Sequence, residues 1–593
     1  MGKLRLAPLK AILVAAIILA GSILPLGAAQ AEGEEKSVLR VGIFNEMESL
    51  NPLVAYSTSS YEFMRLNYNL LISWDQNLNP IPELAKDWTM SEDGKEWTFH
   101  LQEGVKWQDG QPFTSADVKF TFEYIRDNQI GYFYDYVSKM TNIQTPDEHT
   151  VVITLEQPFS WMPQIWVPIL PKHIWEKIDP AEASSTFAND QPVGTGAFQV
   201  VEYKKGEYTR MAANKEYFKG APHIDEVIFI LYGNESTAAE ALKLGEVDLL
   251  TKMSAVPYKS LEGQPNIQTL YSESAGFTEM VINHWADPKS KANPLLRDKN
   301  IRKAMSYAID RKYLIDAVTS GLGEVGTTLV PPMFKFWHYE PTAEEMHTFD
   351  LEKAKKILND AGYKDGDGDG IRESAEGKPL DFRLTLRSES AEQQKMGRII
   401  ADWLKQIGIN IRIDVVDSGT LTDRLYDNGD FDMYIWTYFM DVDPTSILKI
   451  MTTGQIMSWN DSFYSNPKYD ELFVEQNREM DKNKRQAIIH EMQKMIYDDC
   501  PYIILAYGPE LEAYRTDRFE GWVRTPENGT VIMTHSMATY ENIKPLAQTQ
   551  EPAQEETGAA GSGKSSSWLW IVILIIAAAG IAVTMRRKKN REI

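Results

Sequence analysis

The chain has 593 residues, a formal net charge of −23 and a single cysteine. That length exceeds what one hydrophobic core can organise, so two or three domains are expected. The acidity argues against a phosphate-backbone partner and so against nucleic acid, and Cys500 alone permits no intramolecular disulfide.

Residues 1–31 join Lys3, Arg5 and Lys10 to an apolar run at 11–20 and to Ala29-Gln30-Ala31. These are the parts of a cleaved export signal, so export with cleavage after Ala31 is expected. Residues 37–44 alternate as an opening strand, Pro52 breaks the pattern, and residues 61–71 read as a helix. Trp97, Phe99 and Leu101 alternate again, Asp109-Gly110 marks a turn, and Thr114-Ser115 caps a helix carrying Val118, Phe122 and Ile125. From about residue 298 a further helix is expected, because Ile301, Ala304, Met305, Ala308 and Ile309 share one face.

The passage PELAKDWTMSEDGKEWTFHLQEGVKWQDGQPFTSADVKFTFEYI, starting at Pro82, resembles the signature region of the extracytoplasmic solute-binding proteins of family 5. These are the peptide- and nickel-type receptors of ABC importers. Pro192 to Phe198 is similar to that family's P-x-G-T-G-P-F, Tyr217 to Asp225 to its Y-x-G-x-P-x-x-D with one residue more before the glycine, and Gly245-Glu246-Val247-Asp248 to a further short motif. IRKAMSYAIDR, ending at Arg311, is similar to its R-x-A-x-x-x-A-I-D-R. The agreement runs in order from residue 37 to about 540.

The resemblance implies an α/β class II periplasmic-binding-protein fold: two lobes joined by two hinge strands, with a small extra domain. On that template lobe I holds residues 37–275 and 515–545, with the extra domain near 80–200, and lobe II holds 285–505. The hinges fall near 276–284 and 501–514. It also implies a monomeric receptor that needs no cofactor, takes a peptide or other small solute, and serves an ABC permease and its ATPases.

Asp365, Asp367, Asp369 and Glu376 fit D-x-[DN]-x-[DN]-G-x5-E, a calcium-loop spacing that also uses the Ile371 backbone carbonyl. Arg372 departs from the usual apolar residue, and the loop joins a helix (351–361) to a strand (380–386) instead of two helices. A structural Ca2+ is the expectation, and a solvated acidic turn is the alternative.

Residues 431–444, FDMYIWTYFMDVDP, alternate as a strand for ten positions and end in Asp441, Asp443 and Pro444. A buried strand with a capped turn would suffice to explain them; an aromatic wall leading to fixed charge is the functional reading. In the dipeptide receptors a W-x-x-D-x-x-D-P segment stands at this position, and its first Asp holds the α-amino group. A buried ammonium requires such a carboxylate. Trp436, Asp441 and Asp443 match by type and Tyr438 extends the wall. Because the spacing differs, both aspartates stay candidates. Arg387 stands where those receptors hold the ligand carboxylate, which suits the two-pronged guanidinium; an exposed strand-end arginine is the alternative. Asn283, Trp285, Trp459-Asn460 and Tyr507 are lining candidates or hinge packing.

Residues 546–567 are too polar and small to build a core and read as a tether. Residues 568–585 are uncharged and about 27 Å long as a helix, and the basic tail 586–593 follows. This predicts a single-pass protein of the cell membrane with the tail cytoplasmic and the binding body outside. Gly558 to Ser565 satisfies the phosphate-loop pattern, but it sits in the tether, without the strand and helix that pattern requires. There is no GxSxG or HExxH, and none of the nine histidines stands four residues from another, so an enzyme is not expected. An oligosaccharide or metal-complex receptor, or a surface sensor without a permease, are the remaining alternatives.

Overall fold

The computed structural model describes residues 36–547, apart from 56, 57, 534 and 535. The expected export signal, the tether beyond residue 547, the membrane segment 568–585, the tail 586–593 and the phosphate-loop pattern lie outside the described residues. Among the described residues no helix is long and apolar enough to cross a membrane.

Two mixed sheets organise the molecule. Val38–Ile43 pairs in parallel with Glu226–Leu231 on one side and Leu249–Leu250 on the other. Tyr208–Ala213 and Phe198–Lys204 extend one edge, Pro509–Arg515 and Ile267–Glu273 the other, giving seven strands. The second sheet has six strands: Asp381–Arg387 runs parallel to Asn410–Val416 and Met433–Phe439, and Gly276–Ile282, Tyr502–Tyr507 and Glu324–Val325 follow antiparallel. Leu384, Met433, Ile435 and Met280 are fully buried on one face of this sheet, in the core shared with the 299–308 helix. Burial of these side chains, at about 25 cal/mol per Å² of apolar surface, drives the arrangement.

The chain passes between the sheets twice. Strand 267–273 becomes 276–282 through residues 274–275, and strand 502–507 becomes 509–515 through Gly508. The two passages lie side by side, with Glu273 opposite Pro509 in the first sheet and Thr278 opposite Ala506 in the second. A two-strand bridge resists bending far less than a packed sheet, which is the property of a hinge. At Gly276 a Cβ would lie 2.6 Å from the Tyr438 carbonyl oxygen and 2.7 Å from the Phe439 ring. Only glycine lets the hinge strand approach strand 433–439 there.

The first lobe carries a four-stranded sheet of Ala85–Met90, Glu96–Leu101, Thr150–Leu155 and Met140–Asp147, covered by helix Ser115–Asp127. Val118, Phe122 and Ile125 of that helix are fully buried. The Thr114 amide donates to Asp117 at 2.9 Å and starts the helix.

The short motifs prove to be scaffold. Glu83 accepts from Arg65, Asn69 and the Leu70 amide at 2.7 to 3.0 Å. A Cβ on Gly194 would fall 1.7 Å from the Asn67 carbonyl oxygen. Asp248 accepts from the Arg40 amide and the Arg518 guanidinium. Arg311, buried, donates to the carbonyls of Ile504, Ser306 and His347, tying its helix to the hinge strand. Glu83, Asp248 and Arg311 are buried polar groups with their partners supplied, the condition for burying them at all, and Gly194 is fixed by a close backbone approach.

Candidate functional site

In the second lobe the chain leaves strand 381–387 through helix Ala391–Gln406 to reach 410–416 on one side, then returns as 433–439 on the other. The strand order reverses at that place, and such a reversal opens a crevice beyond the carboxyl ends of the strands. Residues 439–441 emerge there. Asp443 then accepts from the Thr445 amide at 2.9 Å and turns the chain into helix Thr445–Lys449.

A cavity of about 330 Å³ lies between the lobes. The second lobe supplies Met333, Tyr438, Phe439, Asp441 and Trp459, and the first supplies Tyr61, Glu62, Tyr132, Trp166, Lys252 and Glu510. A second cavity of about 610 Å³ adjoins it and shares Tyr132, Tyr438, Phe439, Asp441 and Trp459.

Asp441 is the meeting point of the lobes. It accepts from the hydroxyls of Tyr132 at 2.5 Å and Tyr136 at 3.2 Å, both from the small domain. Burial and the Asp441 charge push both phenols well above their usual range, so both stay protonated donors. Around it Lys449 Nζ meets Asp135 at 2.6 Å, Arg478 donates to Gln157 at 2.8 Å, and the Ser160 amide donates to the Asn477 carbonyl at 3.0 Å. The small domain therefore grips the second lobe at several points.

On the opposite wall Lys252 Nζ lies 2.6 Å from Glu62. Burial works against this ammonium, but Glu62, Glu510 and Glu512 outweigh it and raise its pKa. Burial pushes Glu510 up and Glu512 well up, although Glu512 accepts from the Val531 amide at 2.7 Å. Tyr438 is held from behind, because its hydroxyl donates to the buried Asp461 at 2.9 Å, which Tyr434 and Tyr502 also engage.

Of the residues expected from sequence, Tyr438, Asp441 and Trp459 meet at the cavity. Trp436 lies two residues back along the same strand face, with the Arg387 guanidinium 4.6 Å from its ring centroid, and Arg387 Nε donates to Gln393 at 3.1 Å. Neither belongs to the cavity wall. Asp443 requires correction: it is 4 % exposed and forms a two-pronged ion pair with Arg485 at 2.6 and 2.7 Å, so it is consumed inside the lobe.

Four other lining candidates take the packing alternative, within the second lobe and its hinge strand. Asn283 donates to the carbonyls of Gly429 and Phe431, and Asn460 to those of Thr452 and Tyr464. Trp285 stacks on Phe463 with ring centroids 5.0 Å apart. Tyr507 donates to the Thr328 carbonyl at 2.7 Å and accepts from the Thr327 and Thr328 amides. Sequence reasoning missed the whole first-lobe wall. The signal was Glu510 and Glu512, two carboxylates on one face of a strand beside an apolar hinge, and Lys252 directly after Leu249-Leu250-Thr251.

In the acidic loop, Asp365, Asp367 and Asp369 bring carboxylate oxygens within 4.8 Å of one another, and the fourth member is Glu373. Glu376 instead meets Lys378 at 3.0 Å, a correction that follows from the turn: Lys364 and Glu373 bridge as antiparallel neighbours and carry Glu373 to the cluster. Ile371 enters through its amide, which donates to Asp369 at 2.7 Å. Cys500 is buried, and burial raises its thiol pKa to about 11, which leaves no nucleophile there.

Two α/β lobes, a two-strand hinge and a cavity walled from both sides define a two-lobed solute receptor. The chain belongs to the bacterial extracellular solute-binding proteins, family 5, whose model matches residues 79–459; it is a receptor and not an enzyme. It is 26% identical over 498 residues to the oligopeptide-binding protein AppA of Bacillus subtilis (strain 168), covering 82% of this chain and 89% of that protein. The structure of Bacillus subtilis AppA in complex with a nonapeptide matches with a TM-score of 0.73 at 24% identity, covering 86% of this chain and 100% of the other. NikZ from Campylobacter jejuni in complex with Ni(L-His) matches with the same TM-score at 22% identity, covering 86% and 100%.

Proposed function

We propose that this protein is a membrane-tethered extracytoplasmic receptor that captures a short peptide between its lobes and delivers it to an ABC permease. The observation that carries this reading is the meeting of Tyr438, Asp441 and Trp459 with Tyr61, Tyr132 and Trp166 around one cavity. Flat aromatic walls bury many side chains at low entropic cost, and Asp441 is a fixed charge at the strand end where a peptide ammonium would be paired. The cavity of about 330 Å³ and the adjoining one of about 610 Å³ both fall in the roughly 300–1,000 Å³ range of ligand pockets, room for a short peptide. A tether and membrane segment after residue 547 would hold the receptor beside its permease, and the likeness to an oligopeptide-binding protein supports the ligand class.

A small metal chelate is the second reading, favoured by the equal likeness to a receptor in complex with Ni(L-His); no histidine lines the cavity, so the metal would arrive already ligated. The acidic loop is read as a structural calcium site, supported by its four converging carboxylates. A thermal-shift screen of peptides, oligosaccharides and metal chelates separates the alternatives. Peptides should stabilise by about 2.7 kcal/mol at a hundred times their Kd. Stabilisation by sugars alone would overturn the peptide reading.

A further inference from the structure

The cavity carries a charge of its own. Its ionisable wall residues other than tyrosine are Glu62, Lys252, Glu273, Asp441 and Glu510, four carboxylates against one ammonium. Lys252 is already engaged by Glu62 at 2.6 Å, with Glu510 and Glu512 pressing on it from the adjoining strand. Of the second-lobe arginines, Arg387 is stacked over Trp436 and bonded to Gln393, and Arg485 is paired with Asp443; neither lines the cavity. A ligand carboxylate therefore meets an acidic enclosure whose one cation is held among glutamates.

The same field extends towards the second lobe. Burial and the neighbouring Glu273 raise the pKa of Glu324 across the bridge between the sheets. The rings of Tyr61, Trp166, Tyr438 and Trp459 line the same space, and aromatic faces attract cations and offer nothing to anions. Low-dielectric walls amplify both preferences.

We infer that the cavity selects solutes of net positive charge: short peptides bearing a lysine or arginine, whose basic side chain is held by Glu510 within the field of Glu273 and Glu62 while Asp441 takes the ammonium terminus. This rests on the peptide reading and sharpens it to a charge class. Glu510 is half-buried beside Glu62, Lys252, Ser274 and Glu512, and desolvation raises its pKa, so a cation arriving next to it favours its ionised form. Binding then releases protons and tightens as pH rises through the range in which Glu510 titrates.

The test is calorimetric titration of the full chain with Ala-Lys-Ala, Ala-Ala-Ala, Ala-Glu-Ala and the diamine cadaverine. The lysine peptide should bind about tenfold or more tightly than the alanine peptide, the glutamate peptide weakest of the three, and raised salt should narrow the spread. Glu510→Gln should shrink the lysine-to-alanine ratio about tenfold, and Glu273→Gln, at the partly exposed strand end, should shrink it in the same direction if the first variant does not fold. Equal or tighter binding of the neutral or acidic peptide would overturn the charge inference and leave the peptide reading intact. Binding of cadaverine without any peptide would overturn the peptide reading and support the charge inference. Binding of none of the four would overturn both.

Discussion

Asp441 and Asp443 stand two residues apart and are expected to fail in opposite ways when replaced. Asp443→Ala removes both acceptors of the Arg485 pair, whose two side chains are 4 % and 3 % exposed. Arg485 keeps Gln476 at 3.0 Å and Thr445 at 2.8 Å, but its charge is left buried. Breaking one partner of such a pair costs about 3–5 kcal/mol, and at about 2–4 °C per kcal/mol for a unit of 150–250 residues this lowers Tm by on the order of 10 °C. Replacing both, as Asp443→Ala with Arg485→Met, should recover most of that loss. Asp441→Asn keeps an oxygen acceptor for Tyr132 and Tyr136, so Tm should stay within about 2 °C, while peptide affinity falls about tenfold or more for want of the charge. Calorimetric melting and peptide titration of each variant decide the matter. A stable Asp443→Ala protein with lost binding, or an unstable Asp441→Asn protein with full binding, would refute the division of roles.

Other perturbations give equally definite outcomes. Glu279 is fully buried beside Asp461 with both carboxylate oxygens lacking a hydrogen-bond partner, and burial holds its pKa well above 4.5. The stability it lends is complete below that unfolded value and is lost as pH rises towards the folded one. Glu279→Met should therefore melt higher than the parent by about 1–3 kcal/mol, with a larger margin at pH 8 than at pH 5; a margin that shrinks with pH would contradict this. Tyr132→Phe with Tyr136→Phe removes two hydrogen bonds to a carboxylate, each worth about 1.5–3 kcal/mol. It should weaken every solute about tenfold or more by disfavouring closure, and unchanged affinities would show that the contact does not bias the lobes. Chelation of calcium should lower Tm through residues 365–373, and Asp365→Asn should abolish that response; an unchanged Tm would retire the cation reading of the loop.

How much of this was legible beforehand follows from what each signal encodes. The strand at 433–439 was legible because alternation of Met433, Ile435 and Thr437 against Tyr434, Trp436 and Tyr438 is a local property. The fold was legible through the motifs, since Glu83, Gly194, Asp248 and Arg311 are fixed by buried contacts of the scaffold. Those same residues say nothing of the ligand, because they satisfy the scaffold. The first-lobe wall was hard to read because Glu62 and Lys252, 190 residues apart, pair only in the folded lobe, and Glu510 joins them only when the chain returns through the second hinge passage. Asp443 misled because its partner Arg485 lies 42 residues on, where no spacing rule points. Glu376 misled because the calcium-loop spacing presumes a following helix, and here a turn carries Glu373 inward.

In the proposed complex a peptide is enclosed between strand end 433–441 and the small domain. Hydrogen–deuterium exchange on the full chain, with and without saturating peptide, tests it directly. Peptide should slow exchange at residues 436–442, at 131–137 and around 252, with the acidic loop at 365–373 unchanged. Protection confined to regions away from these segments, or exchange identical with and without a peptide that binds, would contradict it.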